Sequence, residues 1–167
     1  DVTCVQGMLG LVCTLHEANL AKLTDSGAPS LNPAEYQHLA KAMLQGLGHM
    51  HDSGILHCDV KPANVLTSGP GLGDTAIDCT DPSACQDFAA QLCQLPNLRR
   101  VVLADLGAAR PADPSHRNGD SNTCIVTLQY RCPELLAGSP AFGTGVDAWS
   151  LGCVLAELSC RRRLLRA

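Results

Sequence analysis

The chain has 167 residues, 46% of them hydrophobic and 17% charged, which suits one globular domain large enough to bury a core. Its formal net charge of −4 provides no overall basic field for direct nucleic-acid binding, and no acidic run marks a disordered tail. The ten cysteines contain no CxxC pair and no Cys/His zinc spacing, so reduced and mostly buried thiols are expected in place of a disulfide framework or a metal site.

The first residues lack the charged-then-apolar build of a secretory leader. Met8–Leu15 is a short, branched apolar run that predicts a buried strand, followed by a turn at His16–Ala18 and one or two helical turns at Asn19–Leu23. A helix follows. Asn32, Pro33 and Glu35 stand in the order of an N-cap, a first-turn proline and a capping-box partner. Leu39, Ala40, Met43, Leu44 and Leu47 recur at helical spacing, and Gly54 stands where a C-terminal stop belongs. Ile55–Leu56 and Val65–Leu66 are short apolar pieces on either side of a polar loop. Residues 67–97 read as an insertion: Gly/Pro-rich at first, acidic at Asp74, Asp78, Asp81 and Asp87, without Lys or Arg, and loop-like apart from a short helix over Asp87–Leu95.

Arg100–Ala104 reads as a strand running into a turn at Asp105–Gly107, and Arg110–Asn122 as a polar surface loop. Val146–Leu158 is apolar nearly all round, the pattern of a helix buried in the middle of a lobe. Asp147 and Glu157 interrupt it, and it falls short of the ~20 residues of a membrane span, so the chain reads as soluble and intracellular, in the cytoplasm, the nucleus or both.

Three motifs carry chemistry. They are His57, Asp59, Lys61 and Asn64 in HCDVKPAN, Asp105 in ADLG, and Tyr130–Glu134 in TLQYRCPE. Phosphoryl transfer from ATP asks a protein mainly for positioning and charge stabilisation, because the charge of its loose transition state lies on phosphate oxygens. A carboxylate must orient the attacking hydroxyl, a lysine can neutralise the moving phosphoryl group, and an amide oxygen with a second carboxylate can hold magnesium. Asp59, Lys61 and Asn64 within six positions, with Asp105 at the end of a later strand, supply all four groups. Singly, each residue has a plainer reading: a turn-forming Asp or Asn, a packed loop histidine, a surface lysine. Their order, spacing and strand context together favour the chemistry.

These motifs resemble the protein-kinase signature of HRDLxxxN, DFG and APE, here written HCDVKPAN, DLG and CPE. The resemblance to a eukaryotic protein kinase domain covers most of the chain. It implies an α+β, protein-kinase-like fold, mainly the helical C-lobe with hinge, catalytic loop and activation segment. It also implies an ATP-dependent enzyme with Mg2+, acting on a protein hydroxyl. By the same likeness Asp59 is the catalytic base, Lys61 the phosphate-contacting lysine, and Asn64 and Asp105 the magnesium ligands. Thr14, Leu15 and His16 would form the hinge against adenine, with Cys13 at the gatekeeper position, Asn19 near the ribose and Leu66 as the adenine floor. Asp147 looks like the aspartate that braces the catalytic loop from the central helix.

YRCPELL and VDAWSLGC resemble the CMGC group of Ser/Thr kinases, and the KPAN lysine with Thr127 fits Ser/Thr specificity. Cys58 in place of arginine before the aspartate, DLG, QYR and the spacer are similar to SR-protein kinases, which would imply Arg/Ser-rich protein substrates. IVTLQYR and SLGCVLAEL are similar to cyclin-dependent kinases, which would imply a regulatory subunit. No glycine-rich loop, strand lysine or helix glutamate precedes Met8, and no helices follow Cys160. The expectation is therefore a partial kinase domain over residues 1–167, with the N-lobe absent and little activity as it stands. Cys58 cannot grip a phosphate as arginine does, so activity without activation-loop phosphorylation is expected. Arg161, Arg162, Arg163 and Arg166 read as a solvated cluster at a helix end. The alternative reading is a pseudokinase or interaction module that transfers nothing.

Overall fold

The computed structural model describes residues 2–5, 8–11, 13, 16, 18–21, 24, 31–68, 100–113, 115, 125–139, 141–162, 164 and 165. Helix α1 (Pro33–Asp52) starts from the expected capping box. The Asn32 side chain accepts from the amides of Ala34 at 2.9 Å and Glu35 at 3.0 Å, while Glu35 Oε2 accepts the Asn32 amide at 2.7 Å. Glu35, Leu39, Met43 and Leu47 are buried at four-residue spacing, so one stripe faces the core. Gly54, at φ +73°, turns the chain out of the helix, where only glycine enters the left-handed region without a Cβ clash.

Helix α3 (Gly145–Cys160) packs against α1, and the Tyr36 hydroxyl donates to Leu155 O at 3.1 Å between them. Val146, Leu151, Val154 and Leu158 point into the shared core. The expectation of burial all round is corrected: Ala148, Trp149 and Gly152 form an open face, with Trp149 43% exposed. The turn Leu128–Tyr130, which packs against α3, and the short helix α2 (Pro133–Leu136) precede α3 in the chain.

The strands form three small antiparallel sheets. β1 (Val2–Val5) pairs with β2 (Met8–Leu11), a hairpin partner that no sequence pattern announced. The expected strand ends at Leu11, and Cys13 lies outside it. β3 (Ala18–Asn19) joins β5 (Val65–Ser68) and β6 (Arg100–Leu103) in the order β3-β5-β6. This corrects the turn read at Ala18 and the helical turns read from Asn19. The open edge of β5 takes up the Ala18–Asn19 backbone, Leu20 N–H donates to Val65 O at 3.0 Å, and helical geometry begins only at Ala21. Thr67 and Ser68, read as the start of an insertion, belong to β5 and pair with Val101 and Arg100. Residues 69–99, with the helix expected over Asp87–Leu95, lie outside the described residues.

β4 (Ile55–Leu56) pairs with β7 (Arg110–Pro111), so the stretch read as a surface loop from Arg110 opens as a strand. Among the cysteines whose side chains are described, Cys58, Cys132 and Cys153 are buried, Cys13 and Cys160 are exposed, and these five are free thiols. Burial pushes the Cys132 and Cys153 thiols up, so both stay protonated at neutral pH.

Candidate active site

Asp147, in the first turn of α3, has its side chain buried and reaches the loop after β4. Its Oδ1 accepts the Cys58 amide at 2.8 Å; its Oδ2 accepts the His57 amide at 2.8 Å and His51 Nε2 at 2.9 Å. Cys58, the second of the two amide donors along the chain, adopts φ +61° and so turns the chain toward Asp59 directly after the clamp. That left-handed conformation costs a non-glycine residue roughly 1–2 kcal/mol, and charge-assisted bonds to a buried carboxylate offset it. His57 Nδ1 accepts the Asp59 amide at 3.2 Å, which leaves the proton on Nε2 to donate to Ala104 O at 3.0 Å. His57, fully buried, thus ties the loop to the residue before Asp105.

Asp59 stands at the centre of a second network. Its Oδ2 accepts Lys61 Nζ at 2.7 Å and Asn64 Nδ2 at 3.2 Å. Its Oδ1 accepts the Thr127 hydroxyl at 2.6 Å and the Thr127 amide at 3.2 Å. Lys61 Nζ also donates to Thr127 Oγ1 at 3.2 Å, and Asn64 Nδ2 to Asp59 O at 2.9 Å. Burial pushes the Asp59 carboxyl up, but the hydrogen bonds from Lys61 and Thr127 and the lysine charge outweigh it and hold the group below its ordinary value. Asp59 is therefore ionised throughout the neutral range. Thr127 is presented by a second left-handed residue, Val126 at φ +67°, whose carbonyl is held by Arg131 Nε at 3.1 Å and Nη2 at 2.8 Å. A cavity of about 180 Å³ opens beside this network, walled by Lys61, Pro62, Thr127, Gln129 and Tyr130.

The three-stranded sheet supplies a different surface. Strand alternation sends Val65, Thr67, Val101 and Leu103 toward the core, so Leu66 and Val102, paired with each other, share the opposite, half-buried face with Asn19. His16 Nδ1 lies 3.4 Å from Ser68 Oγ on the same sheet. Asn19 Oδ1 is buried without a hydrogen-bond partner, an acceptor in need of a donor. Thr14 and Leu15 lie outside the described residues, and Cys13 is exposed.

The β5–β6 pairing brings Asn64 and Asp105 to one end of this sheet, and Ala104 N–H donates to Asn64 O at 2.9 Å. Asp105 is exposed and left-handed at φ +64°, with one weak bond from the Gly107 amide at 3.3 Å. Among the described residues no group of three or more His, Cys, Asp or Glu side chains forms a metal cage. Asn64 spends its amide hydrogens on Asp59 and keeps an oxygen, and Asp105 offers a carboxylate. Two hard oxygen donors suit magnesium, which takes few protein ligands and completes its shell with other oxygens.

The protein kinase domain family profile matches residues 8–167. The chain belongs to the protein kinase family. It is 35% identical to cyclin-dependent kinase 7 of Caenorhabditis elegans over 161 residues, covering 96% of this chain and 40% of that protein. It is 30% identical to cyclin-dependent kinase 12 of Drosophila melanogaster over 162 residues, covering 97% of this chain and 12% of that protein. The crystal structure of the yeast RNA Pol II CTD kinase CTDK-1 complex superposes with a TM-score of 0.72 at 26% identity, over all of this chain and 45% of the solved one. The chain thus spans less than half the length of these relatives, and its distant homologues are CMGC Ser/Thr kinases of the cyclin-dependent type.

Two residues of the kinase site escaped the sequence reading. His51 looks like an ordinary histidine in the last turn of α1, and its only sequence signal is a polar side chain shortly before HCDV. Glu157 reads as an interruption of an apolar helix, yet it is buried and accepts the Tyr130 hydroxyl at 2.9 Å and the Leu164 amide at 3.2 Å. Ser150 Oγ donates to Tyr130 O at 2.7 Å, so α3 holds the wall of the cavity at both ends of one tyrosine.

Proposed function

We propose that the intact protein is an ATP-dependent Ser/Thr protein kinase, with Asp59 as the base. The observation that supports this most is the Asp59 carboxylate, ionised and held by four hydrogen bonds from Lys61, Asn64 and Thr127, two of which line a small cavity. A substrate hydroxyl entering there attacks the γ-phosphorus and the bond to the β,γ-bridging oxygen breaks, so ADP leaves. The hydroxyl proton passes to Asp59, while Lys61 offsets the charge on the moving phosphoryl oxygens. Asn64 and Asp105 would hold magnesium, which supplies charge neutralisation at the phosphates when bound. The half-buried face of Asn19, Leu66 and Val102 is the proposed floor for the nucleoside, reached from Cys13, Thr14, Leu15 and His16.

The described helices and loops are proposed to be chiefly the helical lobe of the kinase, with residues 69–97 inserted between catalytic loop and metal-binding turn. Likeness to cyclin-dependent kinases, and to a kinase solved as a complex, supports a regulatory subunit as partner. The test incubates the intact protein with MgATP and two peptide sets, Arg/Ser-rich and neutral Ser/Thr, alone and with candidate cyclin-type subunits, and reads phosphate incorporation by mass spectrometry. Incorporation that disappears in Asp59→Asn supports the reading. Normal nucleotide binding with no transfer to any peptide overturns it in favour of a pseudokinase.

A further inference from the structure

We infer that the cavity beside Asp59 receives a side chain of the protein substrate close to the acceptor hydroxyl, and that Gln129 makes this subsite take a neutral residue and reject arginine or lysine. This rests on the kinase reading above and deepens it by naming a substrate class. The cavity, about 180 Å³, begins at the group that would meet the hydroxyl. Lys61 and Thr127 both line it, and both bond the Asp59 carboxylate, at 2.7 Å and 2.6 Å. An extended chain advances only about 3.3 Å per residue, so a peptide whose hydroxyl reaches Asp59 lays a side chain from within about two positions of it into the cavity.

The charge of the lining decides which side chain. Among the described residues that line the cavity there is one lysine and no carboxylate; Thr24, Thr127 and Gln129 supply neutral polar atoms. The two carboxylates next to the wall are already committed. Asp59 accepts from Lys61, Asn64 and Thr127. Glu157, buried behind Tyr130, accepts the Tyr130 hydroxyl on Oε2 and the Leu164 amide on Oε1. A guanidinium or ammonium entering the cavity would leave water, meet Lys61 and find no carboxylate of its own, and a desolvated charge without a partner is costly. A neutral side chain escapes that cost, and the half-buried Gln129 amide offers it both a donor and an acceptor. Glutamate at this position would keep the length and place a counter-charge on the wall. The plain alternative is a crevice that only water fills, in which case charge beside the acceptor would not affect transfer.

The test uses the intact protein, MgATP and a Ser peptide with neutral flanks, with arginine introduced singly at each of the two positions on either side of the serine. At one of these positions arginine is expected to lower kcat/KM by about tenfold or more. Gln129→Glu is expected to return at least about threefold of that loss at the same position, measured as the ratio of neutral to arginine peptide. If no position reaches the tenfold loss, or the glutamate variant returns less than that, the inference is overturned while the kinase reading stands. If Gln129→Glu does not fold, Thr24→Asp, which puts the carboxylate on another part of the wall, is judged by the same ratio. An unmodified protein that phosphorylates none of the peptides removes the kinase reading and this subsite with it.

Discussion

The loop that carries Asp59 and the sheet end that carries Asp105 both follow short strands, yet they are held in opposite ways. From His57 to Asn64, backbone and side chains are locked by a buried carboxylate, a buried histidine and a lysine–threonine–asparagine network. Asp105 sits exposed with one weak bond, beside a half-buried sheet face whose Asn19 carbonyl lacks a partner. The difference suits the role proposed for each group. A base that meets a neutral hydroxyl gains from being fixed in advance. A metal ligand is completed by the charge it receives, and until then solvent serves it at low cost.

The largest effect is expected at the clamp. Asp147→Ala leaves two buried amides and His51 without their acceptor, so stability falls by roughly 3 kcal/mol or more, and activity is lost with it. Urea melts read this directly. A loss below about 1 kcal/mol would place the rigidity of the loop elsewhere. Next is Asp59→Asn, which keeps the size of the side chain but removes the proposed base and one of its two accepting oxygens. Phosphate transfer should drop by about 10²–10⁴-fold with nucleotide affinity almost unchanged. A turnover near normal would take Asp59 out of the mechanism.

On the open side, Asp105→Ala should leave thermal stability within about 0.5 kcal/mol, as expected of an exposed residue. MgATP binding should weaken by at least about tenfold, or 1.4 kcal/mol. Calorimetric titration of both aspartate variants separates their roles, and identical curves for Asp105→Ala and the parent contradict the metal assignment. The smallest effect is on pH dependence. The folded-state value of Asp59 is depressed, so its contribution to stability is complete above the ordinary Asp value of about 3.9 and is lost as pH falls through the depressed value. Thr127→Val removes the 2.6 Å bond and should move the acid limb of a stability–pH curve upward. An unmoved limb would show that Lys61 and the Thr127 amide hold the carboxylate ionised without the hydroxyl.

What could be read from the sequence was what is carried by near neighbours. The Asn32–Glu35 capping box, the stripe of Leu39, Met43 and Leu47, the Gly54 stop and the grouping of Asp59, Lys61 and Asn64 each depend on contacts within a few positions. Their physics is complete in a short window. The strand at Ala18–Asn19 was misread because the edge that recruits it, β5, lies far along the chain, and a two-residue strand has no period of its own. The same holds for β7, which forms only because Ile55–Leu56 offers it a partner. The clamp is the clearest case. His51, His57 and Cys58 meet Asp147 across separations of up to 96 positions, and the left-handed Cys58 sits in that clamp against local preference. Sequence alone therefore singled out the groups proposed to do the chemistry, because their identities and spacing are local. Only the tertiary structure decided that Asp59 is immobilised and Asp105 left open, because hydrogen bonds to distant elements set how firmly each is held.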